Sequence, residues 1–332
     1  MSNFPLNPKL HDEDVEQEPI RAGFGRGLKI AGEQNEQIVA LCADLTDSTQ
    51  MNHFRDAFPE RFIEIGVAEQ NLVTVASGMA AMGKIPFTSS YAAFSPGRNW
   101  EQIRTTICLN NQPVKVIGSH AGVSVGPDGA THQMLEDIAL MRVLPNMVVI
   151  APGDSVEAEK ATLALAGDGR PAYLRLAREK TPIFSTNESP FEIGKAYVLR
   201  EGRDITLLGT GTMTYQLLVA ADLLSQEGIE AEVVHVPTIK PLDGDTILAS
   251  LRKTGRALTA EEGQRSGGFG GAVSELLSSK LPMPLKRIGM RDRFGESGDP
   301  AELLQKFELT SDSIVYKART FVHSIPQYKQ GF

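Results

Sequence analysis

The segment that decides the fold is FIEIGVAEQNLVTVASGMAAMGKIPFTSSYAAF, residues 62–94. It begins with a short β-branched run, FIEIG (62–66), continues through a stretch whose apolar residues recur at helical spacing, and ends in a second run, IPFTSS (85–90). This order predicts a strand, a helix and a further strand. Near-continuous apolar strands separated by helices are typical of a parallel sheet covered on both faces.

The same alternation extends in both directions from this unit. The further strand-like runs are IVALC (38–42), VKVIGS (114–119), MVVIAP (147–152) and AYLRLA (172–177). We therefore expect an α/β fold with a doubly wound, mostly parallel six-stranded sheet, in a domain of residues 20–180. A polar N-terminal segment, residues 1–19, precedes this domain.

A second, smaller domain is expected after a break in the pattern. Residues 181–195, TPIFSTNESPFEIGK, contain two prolines and no periodicity, which indicates a linker. Strand-like and helical runs then alternate again from ITLLGTG (205–211) onward. We assign residues 196–332 to this second α/β domain.

Composition narrows the class of protein without naming an activity. Hydrophobic residues make up 41% of the chain and charged residues 22%, which is typical of a globular protein. A formal charge of -8 argues against non-specific binding to nucleic acid or to an anionic membrane. The sequence contains no apolar run of membrane-spanning length and no apolar signal segment at its N-terminus. We expect a cytoplasmic enzyme.

Chemically useful side chains follow four of the predicted strands. In open parallel sheets, ligands bind beyond the carboxyl ends of the strands. The segments at these places are ADLTDS (43–48), VAEQN (67–71), SYAAF (90–94) and HAGVSVGPDGATHQ (120–133). Their position is the first indication of a functional site.

Each of these features also has a plain structural explanation. Glu69 lies in the first turn of a predicted helix, where a carboxylate complements the helix dipole. Tyr91 and Phe94 are three residues apart and could pack in the core or form a flat platform for a heteroaromatic ring. A zinc site in the fourth segment is not favoured, because it has no cysteine and no closely spaced histidine pair. Polar substrate contact suits that segment better.

Considered together, the segments resemble the transketolase family. GVAEQN, SSYAAF and HAGVSVGPDGATHQ are similar to its pyrimidine-binding domain, and ADLTDS resembles its ADLT-x-S segment. PAYLRLAR matches the end of that domain, and GQRSGGFGGAVSELL resembles the transketolase C-terminal domain. The resemblance covers about residues 20–325 in the family's order. It implies a thiamine diphosphate enzyme that transfers a two-carbon ketol unit between sugar phosphates.

The resemblance also implies roles for residues around the cofactor. Glu69 would be the catalytic carboxylate that hydrogen-bonds the pyrimidine ring and activates the cofactor. Phe94 would stack on the aminopyrimidine with Tyr91 alongside, and Asp44 matches a family aspartate near the cofactor. Transketolases often have a third aromatic residue where this chain has Gly97, so the pocket wall is expected to be thinner or completed differently.

On the substrate side, two further residues match positions that contact the sugar. His132 corresponds to a catalytic histidine near the reacting carbon, and Asp128 to a residue that reads the hydroxyl configuration. Four positions match residues that bind the sugar phosphate: Arg21, Ser48, His120 and Arg178.

One departure from the family predicts a partner. Full-length transketolases begin with a domain that binds Mg²⁺ and the diphosphate through GDG and a later Asn. The triplet Gly167-Asp168-Gly169 does not match, because Asn187 follows too closely and a turn is expected there. This chain therefore supplies no metal ligands, and the resemblance implies a second, N-terminal subunit that supplies them. An α2β2 heterotetramer in which this chain self-associates is expected.

Three other interpretations stay open at the level of sequence. The β subunit of a 2-oxo acid or acetoin dehydrogenase shares both domains and the glutamate, but does not need a sugar-phosphate site. A relative of deoxyxylulose-phosphate synthase shares the D-G-x-T-H-Q segment, although that enzyme is normally one long chain. A non-catalytic scaffold would have no physical need for Glu69 or the aromatic pair.

Overall fold

The computed structural model describes residues 4–328. The first three residues of the N-terminal segment and the last four of the second predicted domain lie outside the described residues. In chain order, the strands are β1 (Gln17–Pro19), β2 (Ile38–Cys42), β3 (Phe62–Glu64), β4 (Ile85–Tyr91), β5 (Lys115–Ser119), β6 (Val148–Ile150), β7 (Ala172–Arg175), β8 (Lys180–Pro182), β9 (Tyr197–Arg200), β10 (Ile205–Gly209), β11 (Ala231–His235), β12 (Thr238–Lys240), β13 (Ala257–Gln264) and β14 (Leu285–Met290).

Eleven α-helices lie between and after these strands in the described residues. They are α1 (Ile20–Gln34), α2 (Asn52–Ala57), α3 (Glu69–Ala81), α4 (Trp100–Gln102), α5 (Asp137–Arg142), α6 (Ser155–Gly167), α7 (Met213–Gln226), α8 (Gly244–Thr254), α9 (Phe269–Lys280), α10 (Pro300–Lys306) and α11 (Ser311–Ser324). Pro59–Arg61 and Val123–Asp128 form 3-10 turns, and Ile103–Cys108 continues α4 as a π-helical segment.

The larger sheet confirms the predicted α/β fold. Its seven strands have the order β12-β6-β7-β5-β4-β2-β3. Six of them, β2 to β7, are mutually parallel and correspond to the six predicted runs. The seventh, β12, pairs antiparallel with β6 and comes from the second half of the chain. The observed sheet therefore has one strand more than the predicted six.

Both faces of this sheet are buried, as near-continuous apolar strands require. Along β2, Val39 and Leu41 belong to the same hydrophobic cluster as Leu72 of α3. The alternate residue Ile38 belongs to a cluster on the other face with Phe24 of α1. Successive side chains of a strand point to opposite faces, so a run with few polar residues must be covered twice.

The second half of the chain forms a mixed five-stranded sheet. Its order is β14-β13-β10-β11-β9, in which β9 is antiparallel to β11 and the other pairs are parallel. The strand β12 joins the second half of the chain to the larger sheet, and β1 pairs separately with β8 in a two-stranded sheet. No helix within residues 4–328 is long and apolar enough to cross a membrane.

Candidate active site

The predicted site residues lie along one edge of the larger sheet. The strand order reverses between β2 and β4, because β3 lies on one side of β2 and the later strands lie on the other. Such a switch point is where doubly wound sheets bind ligands at the carboxyl ends of their strands. The residues at or just after these ends are Asp44 after β2, Glu69 after β3, Tyr91 in β4, His120 after β5 and Arg178 after β7.

Glu69 is a buried carboxylate with few partners. It is the first residue of α3, and only 4% of its surface is exposed. Its Oε2 lies 3.4 Å from Arg98 Nη1, and its backbone carbonyl accepts a hydrogen bond from Asn99 Nδ2 at 2.8 Å. Within residues 4–328 no hydrogen bond reaches Oε1. A carboxylate at this position interacts favourably with the helix dipole, but that interaction does not require the side chain to be buried. The dipole alone therefore does not explain the burial of Glu69.

Four rings lie together beside this carboxylate, and we call Tyr91, Phe94, His120 and His132 the aromatic cluster. Tyr91 stacks on His120 with centroids 3.8 Å apart, and on Phe94 at 6.0 Å with an interplanar angle of 21°. His132 meets the Phe94 ring edge-on at 5.3 Å. Tyr91 and Phe94 are only half-buried, which leaves aromatic surface accessible to a planar ligand.

Arg98 connects Glu69 to the aromatic cluster, although no sequence motif marks it. Its guanidinium carbon lies 4.2 Å above the Phe94 ring, a cation–π contact, while Nη1 reaches Glu69. A side chain on Gly97 would place Cβ 1.9 Å from the carbonyl oxygen of Ala93, so no third aromatic residue fits there. Arg98 therefore covers Phe94 beside the position that Gly97 leaves open.

Arg21, Arg178 and His120 form the basic side of the site. Arg21 Nη1 donates to the backbone carbonyl of Arg178, and Arg178 Nη1 donates to the carbonyl of Val125 at 2.7 Å. Arg21 Nε is buried without a hydrogen-bond partner in the described structure. Burial, and then the nearby charge of Arg178, lower the pKa of Arg21. Two close guanidinium groups and an unpaired buried N–H favour binding of an anion.

His120 is held as a neutral ring between these groups. Burial first, and then the charges of Arg21 and Arg178, lower its pKa to about 3. Its Nδ1 is 2.8 Å from Ser119 Oγ. His120 and Asp44 both adopt left-handed backbone conformations, with φ of 59° and 57°. Such conformations are costly for residues other than glycine and cluster at functional sites.

Three predicted residues are not joined to this arrangement by side-chain contacts. Ser48 and Asp128 are exposed, and in the described residues no hydrogen bond links either to the basic side or to the aromatic cluster. Asp44 is also exposed, and only its backbone N–H is fixed, by donation to Glu64 Oε1 at 2.7 Å. The structure thus brings together seven of the ten predicted site residues: Arg21, Glu69, Tyr91, Phe94, His120, His132 and Arg178.

The donor set fits the aminopyrimidine part of thiamine diphosphate. A buried carboxylate with one free oxygen lies beside accessible aromatic rings, as a planar nitrogen heterocycle requires. Within residues 4–328, His, Cys, Asp and Glu side chains form no group of three that could hold a metal ion. A cavity of about 450 Å³ lies against Ser124, Lys180 and Glu262, and none of the predicted site residues lines it.

Comparison with known proteins identifies both halves of the chain. Residues 17–183 match the family described as "Transketolase, pyrimidine binding domain", and residues 194–314 match "Transketolase, C-terminal domain". A protein from Methanocaldococcus jannaschii described as a transketolase C-terminal section is 44% identical over 89% of this chain and 93% of its own length.

Two further relatives cover nearly the whole chain. A 6-deoxy-6-sulfo-D-fructose transketolase subunit from Clostridium sp. is 41% identical over 95% of this chain and 97% of its own length. A solved structure of a split-gene transketolase, an inactive β4 tetramer, is 40% identical with a TM-score of 0.85. It covers 93% of this chain and 99% of that one.

Proposed function

This chain belongs to the transketolase family, and we propose that it is the C-terminal subunit of a two-chain, thiamine diphosphate-dependent transketolase. Its reaction would move a two-carbon ketol unit from a ketose to an aldose, both carrying a terminal anionic group. The observation that carries the proposal is the buried Glu69 carboxylate, which has a free oxygen and lies beside the aromatic cluster in a chain with both family domains.

On the cofactor side, we assign binding of the pyrimidine ring to Glu69, Phe94 and Tyr91. When bound, thiamine diphosphate supplies the electron sink needed to break a carbon–carbon bond next to a carbonyl. Glu69 would hold a proton between its carboxylate and a pyrimidine ring nitrogen, as a general acid–base group within hydrogen-bond reach. Its burial keeps water from competing for that proton. Arg98 would fix the other carboxylate oxygen and so orient Glu69.

The substrate side assigns the anionic end of the sugar to Arg21, Arg178 and His120. The two guanidinium groups supply charge and directed N–H donors, and the neutral ring of His120 supplies one further hydrogen-bonding nitrogen. His132, at the edge of the Phe94 ring, would act near the reacting carbon. We assign Ser48 and Asp128 to the same substrate, with Asp44 near the cofactor, at positions that a bound sugar or a partner chain would bring into contact.

A second polypeptide is part of the proposal. The likeness of nearly the whole chain to a transketolase C-terminal section supports an N-terminal transketolase subunit that would hold Mg²⁺ and the diphosphate. The relative solved as an inactive β4 tetramer contains four β chains, which supports self-association of this chain and inactivity without the other subunit. An α2β2 assembly would contain both the self-associated copies of this chain and the N-terminal subunits that it needs for activity.

Product analysis of the assembled complex tests the reaction class. We would supply it with thiamine diphosphate, Mg²⁺, a ketose phosphate and an aldose phosphate, and follow both new sugars by mass spectrometry. Parallel reactions with 6-deoxy-6-sulfo-fructose ask whether a sulfonate replaces the phosphate. The proposal expects ketol transfer with at least one anionic ketose. Decarboxylation of a 2-oxo acid with acyl transfer to a lipoyl acceptor, and no ketol transfer, would replace it with the dehydrogenase alternative.

A further inference from the structure

The loop of residues 120–135 carries three of the proposed substrate residues, and the C-terminal half of the chain holds it in place. Its central part, Val123–Asp128, is a short 3-10 turn broken at Gly126. Such a turn has few backbone hydrogen bonds of its own, so its shape depends on outside partners. Arg178 donates to Val125 in this turn, and the other side-chain partners come from β13 and from the segment before α10, both more than 120 residues later in the chain.

Glu262, on β13, makes the most direct contact with the loop. Its side chain is buried, with 3% of its surface exposed. Oε1 accepts a hydrogen bond from the backbone N–H of Ser124 at 2.7 Å, and Oε2 accepts one from Thr212 Oγ1 at 2.9 Å. One carboxylate therefore joins the loop to the residue that precedes α7. Hydrogen bonds to a charged acceptor are stronger than neutral ones, above all away from water.

The loop backbone is shaped to admit this carboxylate. Gly122 has a φ of 93°, and a Cβ built on it would lie 2.3 Å from Glu262 Oε1. Only glycine allows both the left-handed conformation and this approach. Gly122 is two residues from His120, so this approach places the Glu262 carboxylate next to the chain that carries the basic side of the site.

A second connection holds the other end of the loop. Gln133 Nε2 donates to the carbonyl of Glu296 at 2.8 Å and to that of Val123 at 3.1 Å. The backbone N–H of Gln264 donates to the carbonyl of Leu135 at 2.8 Å. The loop is thus fixed on both sides of His132 by residues of the C-terminal half.

We infer that Glu262 is a positioning residue for substrate binding, through which the C-terminal half of the chain sets the geometry of the 120–135 loop. The expected effect on catalysis rests on the proposed function, whereas the contact between Glu262 and the loop does not. Glu262 touches no proposed cofactor residue. Losing it should therefore change the positions of His120, Asp128 and His132, while the contact of Glu69 with Arg98 remains.

The neighbouring residue Glu261 provides a matched control. It is equally buried, but its carboxylate accepts hydrogen bonds from the backbone N–H groups of Phe269 and Gly270, at 2.7 and 2.8 Å, at the start of α9. Those contacts lie within the C-terminal half. Glu261→Ala therefore destabilises that half without releasing the loop.

The experiment compares Glu262→Ala, Glu262→Gln and Glu261→Ala in the assembled complex. Glu262→Ala should lower kcat/KM for the ketose roughly tenfold, the value of one strong buried hydrogen bond, and change the Kd of thiamine diphosphate less than about twofold. Glu262→Gln should recover most of the loss, because its carbonyl can accept from Ser124 and its amide can donate to Thr212. Glu261→Ala should lower the melting temperature and leave kcat/KM near wild type.

Amide hydrogen exchange on the same variants measures the contact without any activity. Glu262→Ala should speed exchange in residues 122–128, whereas Glu261→Ala should not. If wild-type complex shows no ketol transfer, the proposed function fails while exchange still tests the contact. Unchanged loop exchange and unchanged kcat/KM in Glu262→Ala would overturn the inference. An equal fall in kcat/KM for Glu261→Ala and Glu262→Ala would overturn it too.

Discussion

Replacing Glu69 by alanine should remove activity at little cost in stability. Among residues 4–328, the only side chain that bonds its carboxylate is Arg98, at 3.4 Å, and the Arg98 side chain is 54% exposed. A solvent-screened pair of this kind contributes up to about 1 kcal/mol, and the helix-dipole interaction of a first-turn carboxylate adds up to about 1 more. We therefore expect a loss of at most about 2 kcal/mol, a fall in melting temperature of several degrees.

The expected loss in rate is much larger. A positioned acid–base group contributes on the order of 10²–10⁴ in rate, so kcat of the assembled Glu69→Ala complex should fall at least about 100-fold. Coupled assays of ketol transfer give kcat, and thermal melting of the same preparations gives stability. Glu69→Ala activity within about tenfold of wild type, in a correctly assembled complex, would refute the role of this carboxylate.

Glu64 supplies the control, because its carboxylate has the opposite character. It is exposed and accepts hydrogen bonds from Asp44 N–H, Thr46 Oγ1 and Gly66 N–H, so it fixes the chain after β2. Glu64→Ala should cost on the order of 1–2 kcal/mol in stability, as much as Glu69→Ala or more. Glu64→Ala should lower kcat less than Glu69→Ala does. The opposite order would show that Glu69 matters for folding rather than for chemistry.

Three further substitutions, one of them with a matched control, test other parts of the site and fold. Arg178→Ala should raise KM for an anionic ketose roughly tenfold or more and leave that of a neutral ketose unchanged, whereas Arg170→Ala, which breaks an exposed pair, should change neither. Because the pKa of His120 falls from 6.5 to about 3 on folding, the unfolded chain binds a proton between those values and the folded chain does not. Stability should therefore decrease as pH falls through this window, and His120→Gln should flatten the decrease by up to about 1.4 kcal/mol per pH unit in urea titrations. Asp137→Ala leaves the buried Arg175 without its 2.8 Å partner and should cost about 3–5 kcal/mol in the same titrations.

The larger sheet could be predicted because its information is local. Each of β2 to β7 is a short apolar run flanked by helical spacing, and parallel strands of this kind require cover on both faces. The strand β12 could not be predicted in the same way. Thr238–Lys240 follows β11 closely in sequence, yet it pairs with β6, about ninety residues earlier. Which edge a short strand joins depends on how the two halves pack.

Residues of the candidate site could be predicted from the sequence only where they belong to a recognisable motif. Glu69, Tyr91 and His120 lie at strand ends that the pattern locates; the rings of Tyr91 and His120 stack, and Arg98 links Glu69 to Phe94 beside them. Arg98 gave no signal, since half-exposed arginines are usually solvated and its contact depends on the backbone approach at Gly97. Glu262 could not be predicted for a different reason. Its partner, Ser124, is 138 residues away in the chain, and the sequence around a glutamate in a strand does not indicate such a distant contact.

Dependence on a second chain is the central claim, and one rate measurement tests it. The purified chain is assayed for ketol transfer with thiamine diphosphate and Mg²⁺, first alone and then with increasing amounts of the N-terminal subunit. We expect no rate above background for the chain alone, and a rate that saturates near one partner per chain. Magnesium-dependent turnover by the purified chain without any second polypeptide would contradict the account.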